Sequence, residues 1–134
     1  MLGEYSGKVL FVYKHFPLNF HLQAENAALA SECANEQGKF VAYGDKLFET
    51  QSEWQNTKDT QKFKTYALQM GLISSQFNKC LDDKKYQSKI ERGKSEGASF
   101  GVSGTPATFV NGQFKNGAIS YDELKKTIEE ELAK

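Results

Sequence analysis

The order of elements in this chain predicts an α/β fold, in which a sheet carries a helical insertion. Three observations support this fold class. Residues 8–16 are β-branched and aromatic, apolar residues recur at helical spacing between residues 22 and 100, and Asn111-Gly112 separates two short apolar runs. Strand signals at both ends with helices between them are typical of such a sheet.

The first element is a strand at residues 8–16, with the sequence KVLFVYKHF. β-branched and aromatic side chains favour a buried or half-buried strand. Pro17 follows and ends it.

Helices are expected next at residues 22–36, 39–50 and 62–70, then after Ser74 with Phe77, Cys80 and Leu81 as the inward residues, and finally at residues 84–100. Residues 51–60 are polar and predict a loop, with Trp54 as its anchor. Ser74 is placed to cap the helix that follows it. Gly93 and Gly97 share one stripe of the last of these helices, and their alignment indicates close approach to a neighbour. The aromatic side chains expected in the core are Phe40, Phe48, Phe63, Phe77 and Phe100.

A hairpin and a final helix complete the order. Residues 105–110 and 113–118 predict two strands joined by Asn111-Gly112, the strongest short-range hairpin signal. Ser120 and Glu123 form a capping-box pattern at the start of the last helix.

Length and charge limit the function classes. A chain of 134 residues predicts one domain, and 17 basic and 17 acidic residues cancel. Without a net positive field, we expect no nucleic-acid partner and no membrane partner. The apolar run near the start is far too short for a membrane span or a signal peptide, so the chain as written is expected in the cytoplasm, although a removed leader stays open.

Four segments, taken in order, resemble the DsbA-like branch of the thioredoxin superfamily, the thiol-disulfide oxidoreductases. They are GKVLFVYKHFPLNFH, ALASECANEQGKFVAYGDKLFE, FNKCLDDKKY and FGVSGTPATFVNG. The resemblance implies one DsbA-like thioredoxin-fold domain over residues 1–134, with thioredoxin-like elements at about 8–16 and 102–134 and a helical insertion at about 20–101. It also implies that full-length members work in the periplasm or outside the cytoplasm.

The family's Cys-x-x-Cys motif does not occur in this chain. The resemblance places a central strand and the Cys-x-x-Cys helix before the strand at 8–16, where only residues 1–7 stand. We therefore expect an incomplete, truncated thioredoxin-like fold that is redox-inactive, because it has no low-pKa thiolate. The lost central strand would leave two unpaired sheet edges, which predict a homodimer or a rearranged sheet.

Thr105-Pro106 is the predicted substrate-binding loop. The resemblance implies a cis bond there, with the Thr105 backbone presented to an extended peptide or an unfolded client protein. Taken alone, the residues fit an ordinary trans proline opening an edge strand, because few X-Pro bonds in folded proteins are cis. This loop and the sheet edges suggest an alternative function, a peptide-binding or assembly module.

Cys33 and Cys80 are the two cysteines of the chain, and three interpretations stay open. They form a structural disulfide, which the resemblance favours; they are two free buried thiols; or they are a redox pair in their own right.

No metal or cofactor is expected. His15 and His21 flank Pro17, but their spacing to each other and to the cysteines fits no zinc pattern. No Ser-His-Asp arrangement and no phosphate-cradling glycine loop is visible in the sequence.

Overall fold

The computed structural model describes residues 3–134. Seven helices and one two-stranded sheet lie in that range. The elements are α1 (Ala24–Asn35), α2 (Phe40–Glu49), α3 (Gln51–Trp54), α4 (Gln61–Gln69), α5 (Ser74–Asp82), α6 (Gln87–Ser99), β1 (Ala107–Val110), β2 (Gln113–Asn116) and α7 (Tyr121–Leu132). No helix of this part of the chain is both long and apolar enough to cross a membrane.

The hydrophobic core lies among the helices between residues 24 and 99. Helix α1 is its centre, since it contacts α2, α4, α5 and α6. Alanines along α1 allow these neighbours to approach closely, and α1 contributes the fully buried Leu29. Tyr43 of α2 is also fully buried, and its hydroxyl donates a hydrogen bond of 2.8 Å to the carbonyl of Phe63 in α4. That bond satisfies the one polar atom that Tyr43 brings into the core.

The loop between α3 and α4 is held by a buried side chain. The amide of Gln23, which is 2% exposed, donates to the carbonyls of Thr57 and Asp59 at 2.8 Å each. Trp54 is buried before the loop, and its indole N–H donates to the carbonyl of Leu47 at 2.9 Å. Trp54 is therefore the anchor that the sequence predicts, although residues 51–54 form a short helix and not a loop.

The hairpin pairs β1 with β2 in antiparallel register, with Phe109 opposite Phe114. Its turn residues Asn111 and Gly112 both have positive φ, at 46° and 87°, which is the requirement of the tight two-residue turn that their sequence predicts. Helix α7 follows and packs on β1. The Ser120 hydroxyl caps α7 by accepting a 3.1 Å hydrogen bond from the backbone N–H of Glu123.

The predicted strand at residues 8–16 is wrong for the described chain. Residues 9–17 form neither helix nor strand, and β1 pairs with β2 alone. A strand exists through its ladder of hydrogen bonds to a neighbour, and this segment has no strand beside it. Lys8 belongs to a turn, in which its N–H donates to the carbonyl of Tyr5.

Other local predictions also need correction. Phe63 and Phe77 are fully buried as expected, but Phe48 is 74% and Phe100 64% exposed. Helical spacing identifies a helix face, and it does not say whether another element covers that face. Ser74 is not a cap: the N-cap residue of α5 is Ile73, and no side chain caps that end.

Two glycines bring α6 against the 9–17 segment. A Cβ placed on Gly93 would lie 2.8 Å from the backbone oxygen of His15, and one on Gly97 would lie 2.8 Å from the Phe16 ring. The close approach predicted from the alignment of these glycines is confirmed. Because the obstacle at Gly93 is backbone, α6 cannot accept a side chain there without moving away.

We expect Gly93→Ala to lower the free energy of unfolding by about 1–2 kcal/mol, because overpacking outweighs the gain in helix propensity. Gly44→Ala in α2 is the matched control, since nothing lies within 4 Å of its added Cβ. That control should raise the free energy of unfolding by up to about 1 kcal/mol. Urea unfolding followed by circular dichroism measures both, and equal stabilisation by the two changes would contradict the close contact at Gly93.

Candidate functional site

The structure joins Cys33 of α1 to Cys80 of α5 in a disulfide, with the Cα atoms 5.8 Å apart. Both helices are among the central elements of the core, so the bond ties together positions 47 residues apart in sequence. Of the three interpretations, the structure shows the disulfide, and neither cysteine is free.

Burial limits what this disulfide can do. Cys33 is 1% and Cys80 4% exposed, and both belong to the hydrophobic core cluster. Thiol-disulfide exchange needs a thiolate to reach one of the two sulfurs, so its rate depends on access. The pair cross-links α1 and α5, and Cys80 also lines a cavity together with Glu36 and Lys85.

The Thr105-Pro106 peptide bond is cis, and both residues are exposed at the entrance to β1. The Pro106 carbonyl accepts a 3.0 Å hydrogen bond from the N–H of Gly117, which extends the β1–β2 ladder by one residue pair. Among the described residues, no backbone–backbone hydrogen bond uses the N–H or the carbonyl of Thr105. These two groups are therefore free to meet an extended peptide.

The outer edge of β1 continues this set of free groups. Pro106 faces β2 with its carbonyl, and the direction of backbone groups alternates along a strand. Thr108 and Val110 therefore bond towards β2, while Ala107 and Phe109 turn their N–H and carbonyl groups to the other side. In the described chain no strand lies on that side, so Thr105, Ala107 and Phe109 form an open strand edge.

A buried charge cluster lies behind the 9–17 segment. The carboxylate of Glu32, in α1, accepts hydrogen bonds from His15 Nε2 at 2.8 Å and from Lys89 Nζ, in α6, at 2.9 Å. His15 is 8% and Glu32 4% exposed. Burial acts to raise the pKa of Glu32, but the hydrogen bonds from Lys89 and His15 outweigh it and hold that pKa below its ordinary value of 4.5.

The cluster fixes the positions of these elements, and two of its members, His15 and Lys89, also line a cavity with Lys14 and Arg92. Its two donors come from the 9–17 segment and from α6, so the carboxylate holds both against α1. Reasoning from sequence missed Glu32 and Lys89. A usable signal was present, since Glu32 is the one charged residue in the small and apolar run from Ala28 to Ala34, where a buried carboxylate needs a partner.

The second histidine lies apart from this cluster. His21 is exposed in a turn, with its ring 4.5 Å from that of Phe20. Within residues 3–134, no group of three or more His, Cys, Asp or Glu residues is arranged to hold a metal ion. The structure thus brings Cys33 and Cys80 together, and it does not bring either histidine to them.

Comparison with known proteins gives a family and a fold. The family model described as thioredoxin matches residues 1–130. A thioredoxin-like oxidoreductase from Silicibacter pomeroyi, solved as a crystal structure, superposes with a TM-score of 0.77 at 19% identity, over 99% of this chain and 74% of that one. This superposition confirms the predicted thioredoxin-like fold with its helical insertion.

Two kinds of curated relative are similar in sequence. A Na(+)/H(+) antiporter NhaA 3 from Salinispora tropica is 31% identical over 129 residues, which are 96% of this chain and 19% of the antiporter. Disulfide bond formation protein D of Bacillus subtilis is 30% identical over 119 residues, which are 79% of this chain and 50% of that protein. The chain therefore spans about a fifth of the first relative and half of the second.

We expect Glu32→Gln to lower the free energy of unfolding by about 2 kcal/mol at neutral pH, because it weakens two charge-assisted hydrogen bonds in a buried site. A carboxyl group whose pKa is lower in the folded state stabilises the fold above its unfolded pKa. The difference between wild type and Glu32→Gln should therefore persist above 4.5 and shrink as the pH falls through the lower folded value.

Glu96→Gln is the matched control for this experiment. It removes the partner of Lys14 in the same region, but both side chains of that pair are at least half exposed. An exposed pair contributes about 0–1 kcal/mol, so this change should have little effect on stability. Urea unfolding at a series of pH values measures both variants. Equal losses of unfolding free energy would show that the Glu32 cluster stabilises the fold no more than an exposed ion pair does.

Proposed function

This chain belongs to the thioredoxin family, and we propose that it is a DsbA-like thiol-disulfide oxidoreductase domain that is itself redox-inactive. The observation that carries the proposal is the state of its two cysteines, joined and buried between α1 and α5. An oxidoreductase of this type attacks with an accessible low-pKa thiolate. The chain presents no Cys-x-x-Cys motif to supply one.

The weaker alternative, electron exchange through Cys33 and Cys80, is disfavoured by the same geometry. Reduction of the pair requires a thiolate to enter the hydrophobic core between α1 and α5. Catalysis would then require the core to open and close in each cycle. A structural role needs neither step.

We further propose that the chain works in an oxidising compartment. A structural disulfide persists in such surroundings and is rare in the reducing cytoplasm. This proposal differs from the cytoplasmic location expected from the sequence as written, and it agrees with the location that the family resemblance implies.

A second candidate function is peptide binding at the Thr105-Pro106 loop. It is favoured by the exposure of both residues and by the free N–H and carbonyl of Thr105. A peptide in extended conformation would satisfy these groups by strand-like pairing. Binding there needs no cysteine, so it is compatible with the redox-inactive proposal.

We expect the protein not to accelerate the reduction of insulin by dithiothreitol, measured as turbidity against a thioredoxin with an intact Cys-x-x-Cys as positive control. The reason is that no sulfur of this chain can reach the substrate. Cys33→Ser and Cys80→Ser should leave the rate unchanged. Acceleration by the wild type that disappears in these variants would overturn the redox-inactive proposal.

The double variant Cys33→Ala/Cys80→Ala should lower the free energy of unfolding by about 4 kcal/mol, the chain-entropy value for a loop of this length. Alanine is used because the site is apolar and buried. The non-reduced wild type should also have a mass two hydrogens below that of its dithiol form. A double variant as stable as the wild type would show that the disulfide does not cross-link the fold in solution.

A further inference from the structure

The feature without a role so far is a cavity of about 350 Å³ beside the disulfide, where the end of α1 meets α5 and the turn between α5 and α6. We call it the Cys80 cavity, and it is lined by Glu36, Gln76, Lys79, Cys80, Asp83 and Lys85. Small-molecule sites in proteins have volumes of about 300–1,000 Å³, so the cavity has room for one small molecule.

The cavity makes the two sulfurs of the disulfide unequal. Of the two cysteines, Cys80 is the one that lines it, whereas Cys33 lies in α1 and is 1% exposed. Thiol-disulfide exchange proceeds by attack of a thiolate on one of the two sulfurs, and access influences which sulfur is attacked. A molecule in the Cys80 cavity therefore meets Cys80 before Cys33.

The charged rim of the cavity does not repel a thiolate. The side chains of Lys79, Asp83 and Lys85 are 78%, 56% and 57% exposed, so the cavity opens to solvent between them. Lys79 contacts Asp83 at 2.7 Å, and Lys85 contacts Glu36. Because these charges cancel in pairs, an anion that enters meets no net like charge.

Glu36 joins the walls of the cavity without using sulfur. Its carboxylate accepts hydrogen bonds from Gln76 Nε2 at 3.1 Å and from the Tyr86 hydroxyl at 2.9 Å, besides its contact with Lys85. The hydrogen bonds from Lys85 and Gln76 outweigh burial and hold the pKa of Glu36 below its ordinary value of 4.5. These contacts connect the end of α1 to α5 and to the turn after it, so they remain when the disulfide is opened.

We propose that Cys80 is a modification site at which a low-molecular-weight thiol forms a mixed disulfide. The thiolate of the small molecule attacks Sγ of Cys80, the new S–S bond forms, and the bond from Cys80 to Cys33 breaks. Cys33 leaves with the bonding electron pair and takes a proton from water, because a buried site disfavours a thiolate. One disulfide is exchanged for another without net oxidation, and attack by Cys33 on the mixed disulfide releases the small thiol again.

The same geometry excludes a protein thiol as the attacking group. Cys80 lies within α5, and its carbonyl accepts a 3.1 Å hydrogen bond from the N–H of Lys85. The backbone around Cys80 is therefore helical and already bonded, and Cys80 belongs to the hydrophobic core cluster. A small thiol reaches the margin of the core through the cavity, whereas a protein would have to open the core.

This inference goes beyond the proposed function and does not depend on it. Accelerated insulin reduction would overturn the redox-inactive proposal and leave thiol exchange at Cys80 in place. Failure of small thiols to react at Cys80 would overturn this inference and leave the insulin result untouched.

The wild-type protein gives the first test. Dithiothreitol should open the disulfide of the folded protein at a rate proportional to its concentration, measured by alkylation of quenched samples and mass spectrometry. Thioredoxin kept reduced by its reductase and NADPH should leave the disulfide closed over the same period. The proposal is overturned by a rate that levels off at the rate of global unfolding, or by equally fast opening by thioredoxin.

Two single variants show which sulfur reacts. Cys33→Ser and Cys80→Ser each keep one thiol, and oxidised glutathione is the probe. Cys80 should form the mixed disulfide about tenfold faster than Cys33 does, because access controls the rate. Circular dichroism shows whether both variants keep the helical fold, and the wild-type rates decide the question if one does not. Equal rates in two folded variants would show that the cavity gives Cys80 no advantage.

A charge change tests whether the Cys80 cavity is the path. Lys79→Glu makes the lining negative, so it should slow opening of the wild-type disulfide by reduced glutathione, an anion, about threefold or more. Opening by the cationic thiol cysteamine should be slowed less, whereas a loss of structure would change both rates alike.

Lys126→Glu is the matched control. Lys126 lies on α7, is 78% exposed like Lys79, and is likewise paired with an acidic residue four positions later. This change should leave the rates with both thiols unaltered. Equal effects of Lys79→Glu and Lys126→Glu on the glutathione rate would overturn the assignment of the path to the Cys80 cavity.

Discussion

The buried carboxylate of Glu32 is the constraint on which the arrangement of the rest depends. Removing a carboxylate from water is costly, and it is tolerated when hydrogen-bond donors surround it. Its donors are His15 and Lys89, which come from two elements far apart in sequence. The 9–17 segment and α6 must therefore meet α1 at one point, and Gly93 lets the backbones come close enough to do so. Loss of Lys89 would leave the buried carboxylate with His15 as its remaining side-chain donor.

Helix α1 serves this cluster and the disulfide through neighbouring residues. Glu32 points to the 9–17 segment and α6, while Cys33 is bonded to α5. The small residues Ala28, Ala30 and Ala34 allow helices to surround α1 so closely that both side chains are covered. The packing around α1 that buries the carboxylate also buries the disulfide, so both groups hold neighbouring elements against this helix.

The parts of the fold that were predictable from sequence are those whose signals are local. Asn111-Gly112 determines its turn through two positive φ angles, and the Ser120 hydroxyl caps the helix that begins beside it. The candidate site depends on distant pairs and was less accessible. Glu32 and Lys89 are 57 residues apart. The residue pattern left three states open for Cys33 and Cys80, and family resemblance, not spacing, favoured the disulfide. Exposure of Phe48 was missed for the related reason that periodicity describes a face and not what covers it.

The failure of the strand prediction at residues 8–16 has a physical cause that also explains why the helices were predicted well. A helix satisfies its backbone hydrogen bonds within one segment, whereas a strand satisfies them only on a neighbour. A strand pattern therefore indicates that a segment needs a neighbouring strand for its backbone hydrogen bonds, and the rest of the fold determines whether such a neighbour is present. Within residues 3–134 this need is met for β1 and β2, because each is the other's neighbour through a two-residue turn. At residues 9–13 it is not met, although the side chains are those of an interior strand. The strand prediction failed there because the described chain offers residues 9–13 no neighbouring strand, and not because their side chains disfavour one.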